Sequence, residues 1–374
     1  MRLAVISHAC VVDVNQRLYA ELAKLPDVEL LLIAPRVWRA STGRVVRFRP
    51  LEGARYLARP LPVWGSGQIT FHVYRGLARA LREFRPTAVY LDEEPYSLAA
   101  AQILRLQRRL GFRLAFCQTQ NLVKRYPWPF SRLERRMLDT CDRIIAITQE
   151  CAEVAATKGA RSPVAVVPLG VDTDRFRPRP ELQAELGLTA PVVGYVGRLA
   201  PEKGLPDLRA AVDLLRAGGH DFSVLIVGDG PEREAMRTWA QAGAAGTVAL
   251  AGSVPHSEVP RYLNVCDLTV LPARTRPGGK EQFGRTVIES LACAVPVVGS
   301  TCGEVPRLLA ETGGGVVFPE RDAEALSAAI RDMLLDPCGR KAMGERGREV
   351  VVREYSYPRV AQKLHAALRE IAGA

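Results

Sequence analysis

Glu281 and Glu289 stand eight positions apart in the run Glu281-Gln282-Phe283-Gly284-Arg285-Thr286-Val287-Ile288-Glu289, and the sequence changes character between them. Arg285 to Ala292 is mostly apolar or small and Val295-Pro296-Val297-Val298 follows, so the segment reads as a loop, a short buried helix and a strand. Glu281 then lies ahead of the helix and Glu289 just over one turn inside it. The first amides of a helix have no partner within it and attract anions, so the backbone N–H groups of Phe283 and Gly284 form a natural seat for a phosphate. Two carboxylates flanking that seat suit a ligand in which a diphosphate joins a sugar to a ribose. One acid would meet sugar hydroxyls and the other the ribose diol. A solvated helix end produces the same spacing, so the pattern needs support from elsewhere in the chain.

Four consecutive strand-to-helix turns supply that support. The strand Val192 to Val196 runs into Gly197-Arg198-Leu199-Ala200-Pro201-Glu202-Lys203-Gly204, where glycines admit a close ligand and Arg198 and Lys203 can meet phosphate oxygens, the arginine in bidentate fashion. The strand Phe222 to Val227 ends in Gly228-Asp229-Gly230-Pro231, Thr247 to Ala251 ends at Gly252-Ser253-Val254-Pro255, and Leu268 to Leu271 leads to Glu281. In the first half, Asp92-Glu93-Glu94 follows the strand Thr87 to Asp92, at the strand end where open parallel sheets hold ligands; a second substrate or plain solvent could face it. Lys124-Arg125-Tyr126-Pro127-Trp128-Pro129-Phe130 interleaves cations with aromatics, which suits a membrane interface, a stacked sugar, or a loop packing its own rings. His8 and His220 have no partners at metal-ligand spacing and read as loop or surface residues. Asp172-Thr173-Asp174 has the D-x-D spacing of some metal sites but no third oxygen ligand, and is rejected as one.

The elements that must position these groups alternate strand and helix. Leu3 to Ser7, Val28 to Ala34, Thr87 to Asp92, Arg113 to Gln118, Arg143 to Thr148 and Val164 to Val167 read as strands. Helices are expected through Leu18 and Leu22, along Val73, Leu77 and Leu81, and over 97–110, 131–139 and 149–158; Arg36 to Arg59 reads as irregular. Pro, Gly and charge concentrate from Pro168 to Pro180, marking a junction, and 374 residues suffice for a domain on each side of it. Hydrophobic content of 48% with 24% charged residues is that of a globular protein, and no run approaches the roughly 18 apolar residues of a membrane helix. The short opening strand, interrupted by His8, is too brief for a secretory leader, so a cytoplasmic chain is expected. Its eight cysteines form no C-x-x-C pair and read as core residues.

Charge is uneven. Residues 1–168 carry 26 Lys+Arg against 14 Asp+Glu and the remainder 25 against 26, so the first half is expected to face something anionic: a lipid surface, a phosphorylated acceptor or nucleic acid. Arginine enrichment of genomic origin would give the same asymmetry.

Pro168 to Asp172, Gly197-Arg198 with Lys203-Gly204, Gly228-Asp229-Gly230-Pro231, Gly252-Ser253-Val254-Pro255 and Glu281 through Glu289, in this order, make the chain resemble the retaining glycosyltransferases of family 4 over nearly its whole length. The resemblance implies an α/β GT-B fold: two facing Rossmann-like parallel-sheet domains with a cleft between them. An acceptor-binding domain over 1–168 would carry the C-terminal helix 355–374 back on it, and a donor-binding domain would occupy 169–354. It implies that Arg198 and Lys203 hold the donor diphosphate, that Gly197, Gly228 and Val254 line the donor, that Glu289 binds the ribose, and that Glu281 with the Phe283 and Gly284 backbone positions the sugar. Glu281, Arg198 and Lys203 are the catalytic candidates; Gln120, Asn121, Asp92, Glu93 and Glu94 are the acceptor-side ones. The implied partners are a nucleotide sugar and a hydroxyl acceptor, such as a lipid-linked one at an anionic membrane, with no cofactor, no metal and no nucleic acid.

Four departures stand out. The glycine-rich loop after the first strand is missing, Ala294 stands where glycine is common, and Gln282 replaces the glycine usual after Glu281. Many members carry a histidine after the strand corresponding to Arg113 to Gln118; here Gln118-Thr119-Gln120-Asn121 stands there, and Gln120 cannot act as a base at neutral pH. A phosphate oxygen of the leaving group would then take the acceptor proton. The competing classes are a nicotinamide oxidoreductase, which lacks G-x-G-x-x-G after its first strand, a nucleotide-sugar epimerase, and a basic membrane- or nucleic-acid-binding module.

Overall fold

The computed structural model describes residues 1–39, 43, 45–182, 186–188, 191–242 and 247–373. The chain divides into two compact units, Met1–Gly170 with Tyr357–Ala374, and Val171–Ser356.

The first unit is built on seven parallel strands: β1 (Arg2–Ser7), β2 (Glu29–Pro35), β3 (Leu57–Leu61), β4 (Ala88–Asp92), β5 (Arg113–Gln118), β6 (Arg143–Ala146) and β7 (Val164–Val166). Their order is β7-β6-β5-β4-β1-β2-β3. Continuous apolar runs such as Leu3-Ala4-Val5-Ile6 and Leu30-Leu31-Leu32-Ile33 are what a parallel sheet covered on both faces requires, and these residues are buried. Two expectations are corrected here. The stretch from Arg36 to Arg59 is not irregular throughout: Val37–Arg39 pairs antiparallel with Val45–Arg47, and Leu57–Leu61 is β3; positions 40–42 and 44 of it lie outside the described residues. Pro60 hid this strand. A proline cannot donate to a ladder and is tolerated only at an edge, which is where β3 lies. Val73 does not begin a helix; it pairs with Trp64 in a short ribbon, and the helix is Leu77–Phe84.

The C-terminal helix Tyr357–Ala372 belongs to this unit and packs on the helix Arg17–Leu22. It buries Val360, Leu364 and Leu368, each contributing about 1.5–3 kcal/mol of apolar burial. His365 Nε2 meets Asp27 Oδ2 at 2.9 Å and Arg143 meets Glu370 at 2.6 Å.

In the second unit β8 (Val192–Val196), β9 (Ser223–Val227), β10 (Val248–Gly252), β11 (Leu268–Leu271), β12 (Val297–Ser300) and β13 (Gly315–Phe318) form a parallel sheet in the order β10-β9-β8-β11-β12-β13. The helix Leu205–Ala217 buries Leu205, Leu208, Val212 and Leu215 against it, the face that the apolar spacing indicated. Both sheets are doubly wound. Strand order reverses between β1 and β4 and between β8 and β11, the switch points at whose carboxyl ends open parallel sheets receive ligands. Seven of the eight cysteines are buried, among the described residues none is paired in a disulfide, and no helix is long and apolar enough to cross a membrane.

Candidate functional site

The switch point of the second sheet carries the strongest sequence candidates. The turn after β8 delivers Arg198 and Lys203, and the segment after β11 delivers Glu281, 78 positions from Lys203. Two close approaches fix these loops. Gly204 has φ +68° and a Cβ there would overlap the Pro272 carbonyl oxygen; a Cβ on Gly228 would overlap that of Gly197. Only glycine fits either place. Lys203 Nζ donates to Glu281 Oε2 at 2.5 Å, with 23% and 14% of the two side chains exposed. Glu281 Oε1 in turn accepts the Gly284 N–H at 3.2 Å. The expected arrangement is thus modified: Glu281 does not merely flank the seat at the start of helix Arg285–Ala292 but holds it with its own carboxylate. An anion that takes the Gly284 amide must displace Glu281 from it, and it competes with Glu281 for Lys203.

Arg198 is largely exposed and pairs with Glu202, one turn away, while its carbonyl accepts the Tyr195 hydroxyl at 2.7 Å. The Thr286 hydroxyl ties the helix start to Val196 O at 3.3 Å. Phe283 is buried, so only its backbone is available to a ligand, and Val254 is half-buried after β10. Glu289 is buried on the same helix and meets His256 Nε2 at 2.8 Å; His256 packs against Phe176 with ring centroids 5.3 Å apart. Sequence reasoning missed His256. The only signal was its place directly after Gly252-Ser253-Val254-Pro255.

At the switch point of the first sheet the acidic triplet is not a solvated loop. Asp92 Oδ2 accepts from Ser7 Oγ at 2.8 Å and Tyr19 OH at 3.0 Å. Glu93 has no exposed side-chain surface and takes the His8 N–H at 2.7 Å, the Tyr74 hydroxyl at 2.7 Å and the His8 ring Nδ1 at 2.5 Å. Its Oε1 also lies 3.3 Å from His72 Nε2. Burial alone would raise the Glu93 pKa, but His8 and His72 outweigh it and hold the carboxyl down at about 2. Burial raises the carboxyls of Asp92 and Glu94 above the usual range. Glu94 Oε1 accepts from Gln120 Nε2 at 3.2 Å, and Asn121 is buried against Glu150 at 2.9 Å. Of the five acceptor-side candidates, Glu94 and Gln120 therefore share one half-buried patch, while Glu93 and Asn121 are interior.

The reading of His8 as an unpartnered loop residue is corrected. It meets Glu93 from 85 positions away, a separation no local spacing reveals. His8, His72 and Glu93 have ligand-type atoms within 4.8 Å of one another. Both Glu93 oxygens already accept N–H or O–H donors from His8 and Tyr74, while His72 Nε2 is buried without a hydrogen-bond partner among the described residues. His72 Nδ1 lies 3.0 Å from Ile69 O and 3.2 Å from Gln68 O.

In the aromatic segment, Tyr126 stacks on Tyr96 at 4.0 Å with Lys158 over its ring, and Phe130 meets Phe71 edge-on, so part of it packs its own rings. Trp128 stays 78% exposed, and Trp64 and Phe71 are also open.

Comparison with known proteins places these features in company. A sequence profile described as "Glycosyltransferase Family 4" matches residues 12–175 and one described as "Glycosyl transferases group 1" matches 179–350. A 2-deoxystreptamine glucosyltransferase of Streptomyces kanamyceticus is 30% identical over 348 residues, covering 86% of this chain and 87% of that protein. A GDP-mannose-dependent alpha-(1-6)-phosphatidylinositol monomannoside mannosyltransferase of Mycobacterium tuberculosis is 32% identical over 244 residues; the match spans 63% of each chain, less than two thirds of that relative. In fold, Anabaena HepE in complex with UDP superposes with a TM-score of 0.77 at 17% identity over 99% of both chains. Sucrose-phosphate synthase of Thermosynechococcus elongatus superposes with a TM-score of 0.74 at 19% identity, covering 100% of this chain and 99% of that one.

Proposed function

Because the chain belongs to glycosyltransferase family 4, we propose that it moves a sugar from a nucleotide-sugar donor to a hydroxyl acceptor, the second unit binding the donor and the first the acceptor. The observation that carries this reading is the meeting of Lys203, Glu281 and the Gly284 amide at the switch point of the second sheet. A donor diphosphate displaces Glu281 from the amide and from Lys203, and Arg198 swings from Glu202 to a phosphate oxygen. Charge that grows on the departing nucleoside diphosphate is met by two cations and a helix N-terminus, so this chemistry needs no metal. The freed Glu281 turns to the transferred sugar, where it orients hydroxyls and favours positive charge at the ring. Glu289 with His256 holds the ribose. Attack on the face that the leaving group vacates retains the anomeric configuration, as the family resemblance implies.

Two relatives set the range of acceptors to try: an aminocyclitol, from the glucosyltransferase of S. kanamyceticus, and an inositol phospholipid, from the M. tuberculosis mannosyltransferase. Exposed Trp128, Trp64 and Phe71, together with the excess of 26 cations over 14 acids in residues 1–168, favour an acceptor presented at an anionic membrane surface on the cytoplasmic side. The test is a thermal-shift panel of UDP, GDP, ADP and dTDP sugars followed by product analysis with 2-deoxystreptamine and with phosphatidylinositol vesicles. Nucleotide release that requires an acceptor and yields a glycoside supports transfer. A changed sugar formed without acceptor would make the protein an epimerase instead.

A further inference from the structure

A cavity of about 960 Å³ opens in the second unit away from the donor seat, and we propose that it binds a small hydroxyl-bearing phosphate ester that tightens donor binding from a distance. The volume is that of a small-molecule site, and every residue lining it falls within Val171–Ser356. Asp267 and Pro296 on its wall immediately precede β11 and β12, so the cavity stands at the amino edge of the second sheet. Lys203, Glu281 and the Gly284 amide stand at the carboxyl edge. The helix Pro337–Tyr355 closes the cavity with Lys341, Glu345, Arg348 and Val352, which recur along one helix face.

Its charge is unbalanced toward cations. Arg340 Nη2 meets Asp267 Oδ1 at 2.9 Å and Lys341 meets Glu345 at 4.0 Å, so these two are compensated. Arg179 and Arg348 form no ion pair among the described residues. Arg348 gives both of its hydrogen bonds from Nη1, to the Ala292 carbonyl and, at 3.3 Å, to that of Phe176, which leaves its other N–H groups without a partner. Arg179 Nε is buried with no partner, although the backbone N–H of the same residue is held by Asn264 Oδ1 at 2.5 Å. A buried guanidinium N–H without an acceptor is costly, and an anion in the cavity supplies the acceptor. Burial, opposed by Cys293 and helped by the like charge of Arg177, holds the Arg348 pKa below that of an ordinary arginine. A cation desolvated in this way gains from a bound anion.

The rest of the lining indicates what carries the phosphate. Pro178, Pro180, Val295 and Pro296 give it an apolar wall, and no aromatic side chain is among the lining residues, so a nucleobase has no ring to stack on. Glu349 lines the cavity without a partner among the described residues and can accept from hydroxyl groups, as can Glu345. A phosphate on Arg179 and Arg348, with a hydroxylated carbon skeleton against the two glutamates, uses each of these groups.

Two short paths tie the cavity to the donor groups. Ala292 ends the helix that starts after Gly284, so Arg348 holds the carbonyl end of the helix whose first amide forms the seat. Arg348 also holds Phe176, whose ring lies 5.3 Å from that of His256, and His256 Nε2 meets Glu289 Oε1 at 2.8 Å. An anion on the free N–H groups of Arg348 leaves Nη1 on its two carbonyls and fixes the guanidinium, and with it the helix end and Phe176. Groups ordered before the nucleotide arrives lose less freedom when it binds. This coupling rests on the transfer reading, in which Glu289 holds the ribose; the cavity's own affinity does not.

The experiment titrates the full-length protein by calorimetry with glucose 6-phosphate, AMP and inorganic phosphate at equal ionic strength. Glucose 6-phosphate should bind more tightly than the other two. Arg179→Met removes a side chain that has no partner in the fold and should weaken glucose 6-phosphate about 10- to 100-fold. Arg348→Gln, which keeps an N–H donor for the carbonyls, should weaken it as well. Lys203→Met should leave it within about twofold, which separates the cavity from the donor seat. With glucose 6-phosphate saturating, the UDP or GDP dissociation constant should fall by about fivefold or more in wild type and stay unchanged in Arg179→Met, and nucleotide should tighten glucose 6-phosphate by the same factor. No binding of any probe at millimolar concentration, or binding lost in Lys203→Met and kept in Arg179→Met and Arg348→Gln, overturns the site. Inorganic phosphate or AMP binding as tightly as glucose 6-phosphate overturns the ligand class. A nucleotide affinity that bound glucose 6-phosphate does not tighten overturns the coupling. Wild-type protein that binds no UDP or GDP overturns the transfer reading and the coupling with it, while the glucose 6-phosphate titration decides the cavity by itself.

Discussion

Lys203 and Glu281 are each other's partner before any ligand arrives, so removing one or the other should move diphosphate affinity in opposite directions. A hydrogen bond between charged groups contributes about 1.5–3 kcal/mol. This one is partly open to water, which puts it at the low end of that range. A nucleoside diphosphate competes with Glu281 for Lys203 and takes the Gly284 N–H from it. Glu281→Gln removes the competing charge but keeps the shape, and a gain of about 1 kcal/mol would tighten UDP or GDP roughly fivefold. Lys203→Met deletes the phosphate's cation and leaves Glu281 on the Gly284 amide. A loss of about 2–3 kcal/mol would weaken the same nucleotide roughly 30- to 150-fold. Stability should follow the other logic: Lys203→Met strands a carboxylate that is only 14% exposed, and a cost of about 2 kcal/mol in a unit of about 190 residues lowers Tm by roughly 4–8 °C. The double variant should recover part of that loss. Calorimetry and differential scanning calorimetry on the three variants decide the matter. If Glu281→Gln weakens nucleotide binding as Lys203→Met does, the carboxylate touches the nucleotide itself and the displacement reasoning is refuted.

Glu289→Ala and His256→Ala should both raise the donor KM by about 10- to 100-fold with kcat changed less, since contacts to a ribose far from the breaking bond are alike in ground and transition states; steady-state kinetics check this. Gly204→Ala should cost about 1–3 kcal/mol, because it adds a side chain to a backbone at φ +68° against the Pro272 carbonyl, and denaturant unfolding measures it. Glu93, held at about 2 against an ordinary 4.5, stabilises the fold above pH 4.5 and loses that contribution as pH falls from 4.5 toward 2. Asp92 and Glu94, with raised values, act in the opposite sense at higher pH, so acid unfolding followed below pH 4.5 should be steeper in wild type than in Glu93→Gln. Co-sedimentation with anionic vesicles should show binding that weakens with added salt and falls in Trp128→Ala; absence of binding at low salt removes the membrane surface from the reading.

What the sequence made legible, and what it hid, divides by how far the information travels along the chain. Parallel strands buried on both faces announce themselves as apolar runs, so β1, β5, β8 and β11 stand where those runs stand, and the helix Arg285–Ala292 begins at the change from Gly284 to an apolar stretch. β3 was concealed by Arg59 and Pro60, residues that an edge strand tolerates and a central one does not. Turn chemistry at the second switch point was visible because glycine is dictated locally: Gly204 and Gly228 each lie against a carbonyl that no Cβ could pass. Pairings made by topology left no such mark. Glu281 reaches Lys203 across 78 positions, Glu289 reaches His256 across 33, and Glu93 reaches His8 across 85.

Each of those three pairs joins groups that follow different strands of one sheet, and two of them span the neighbouring strands at which a doubly wound sheet reverses its order. This gives the sheet's connectivity a predictive use that residue spacing lacks. Once strand order is known, the residues just past β1 and β4, or past β8 and β11, must be read together, however far apart they lie in sequence. Applied to the first sheet, that rule selects His8 with Glu93 from a loop histidine and an acidic triplet that looked unrelated. Applied to the second, it joins the cation turn to the loop carrying Glu281. The acid in each pair is fixed by a backbone N–H as well as by its charged partner, Glu93 by that of His8 and Glu281 by that of Gly284. The difference between them is burial. Glu93 is sealed with no exposed side-chain surface, whereas Glu281, at 14% exposed, lies where an incoming ligand can compete for Lys203.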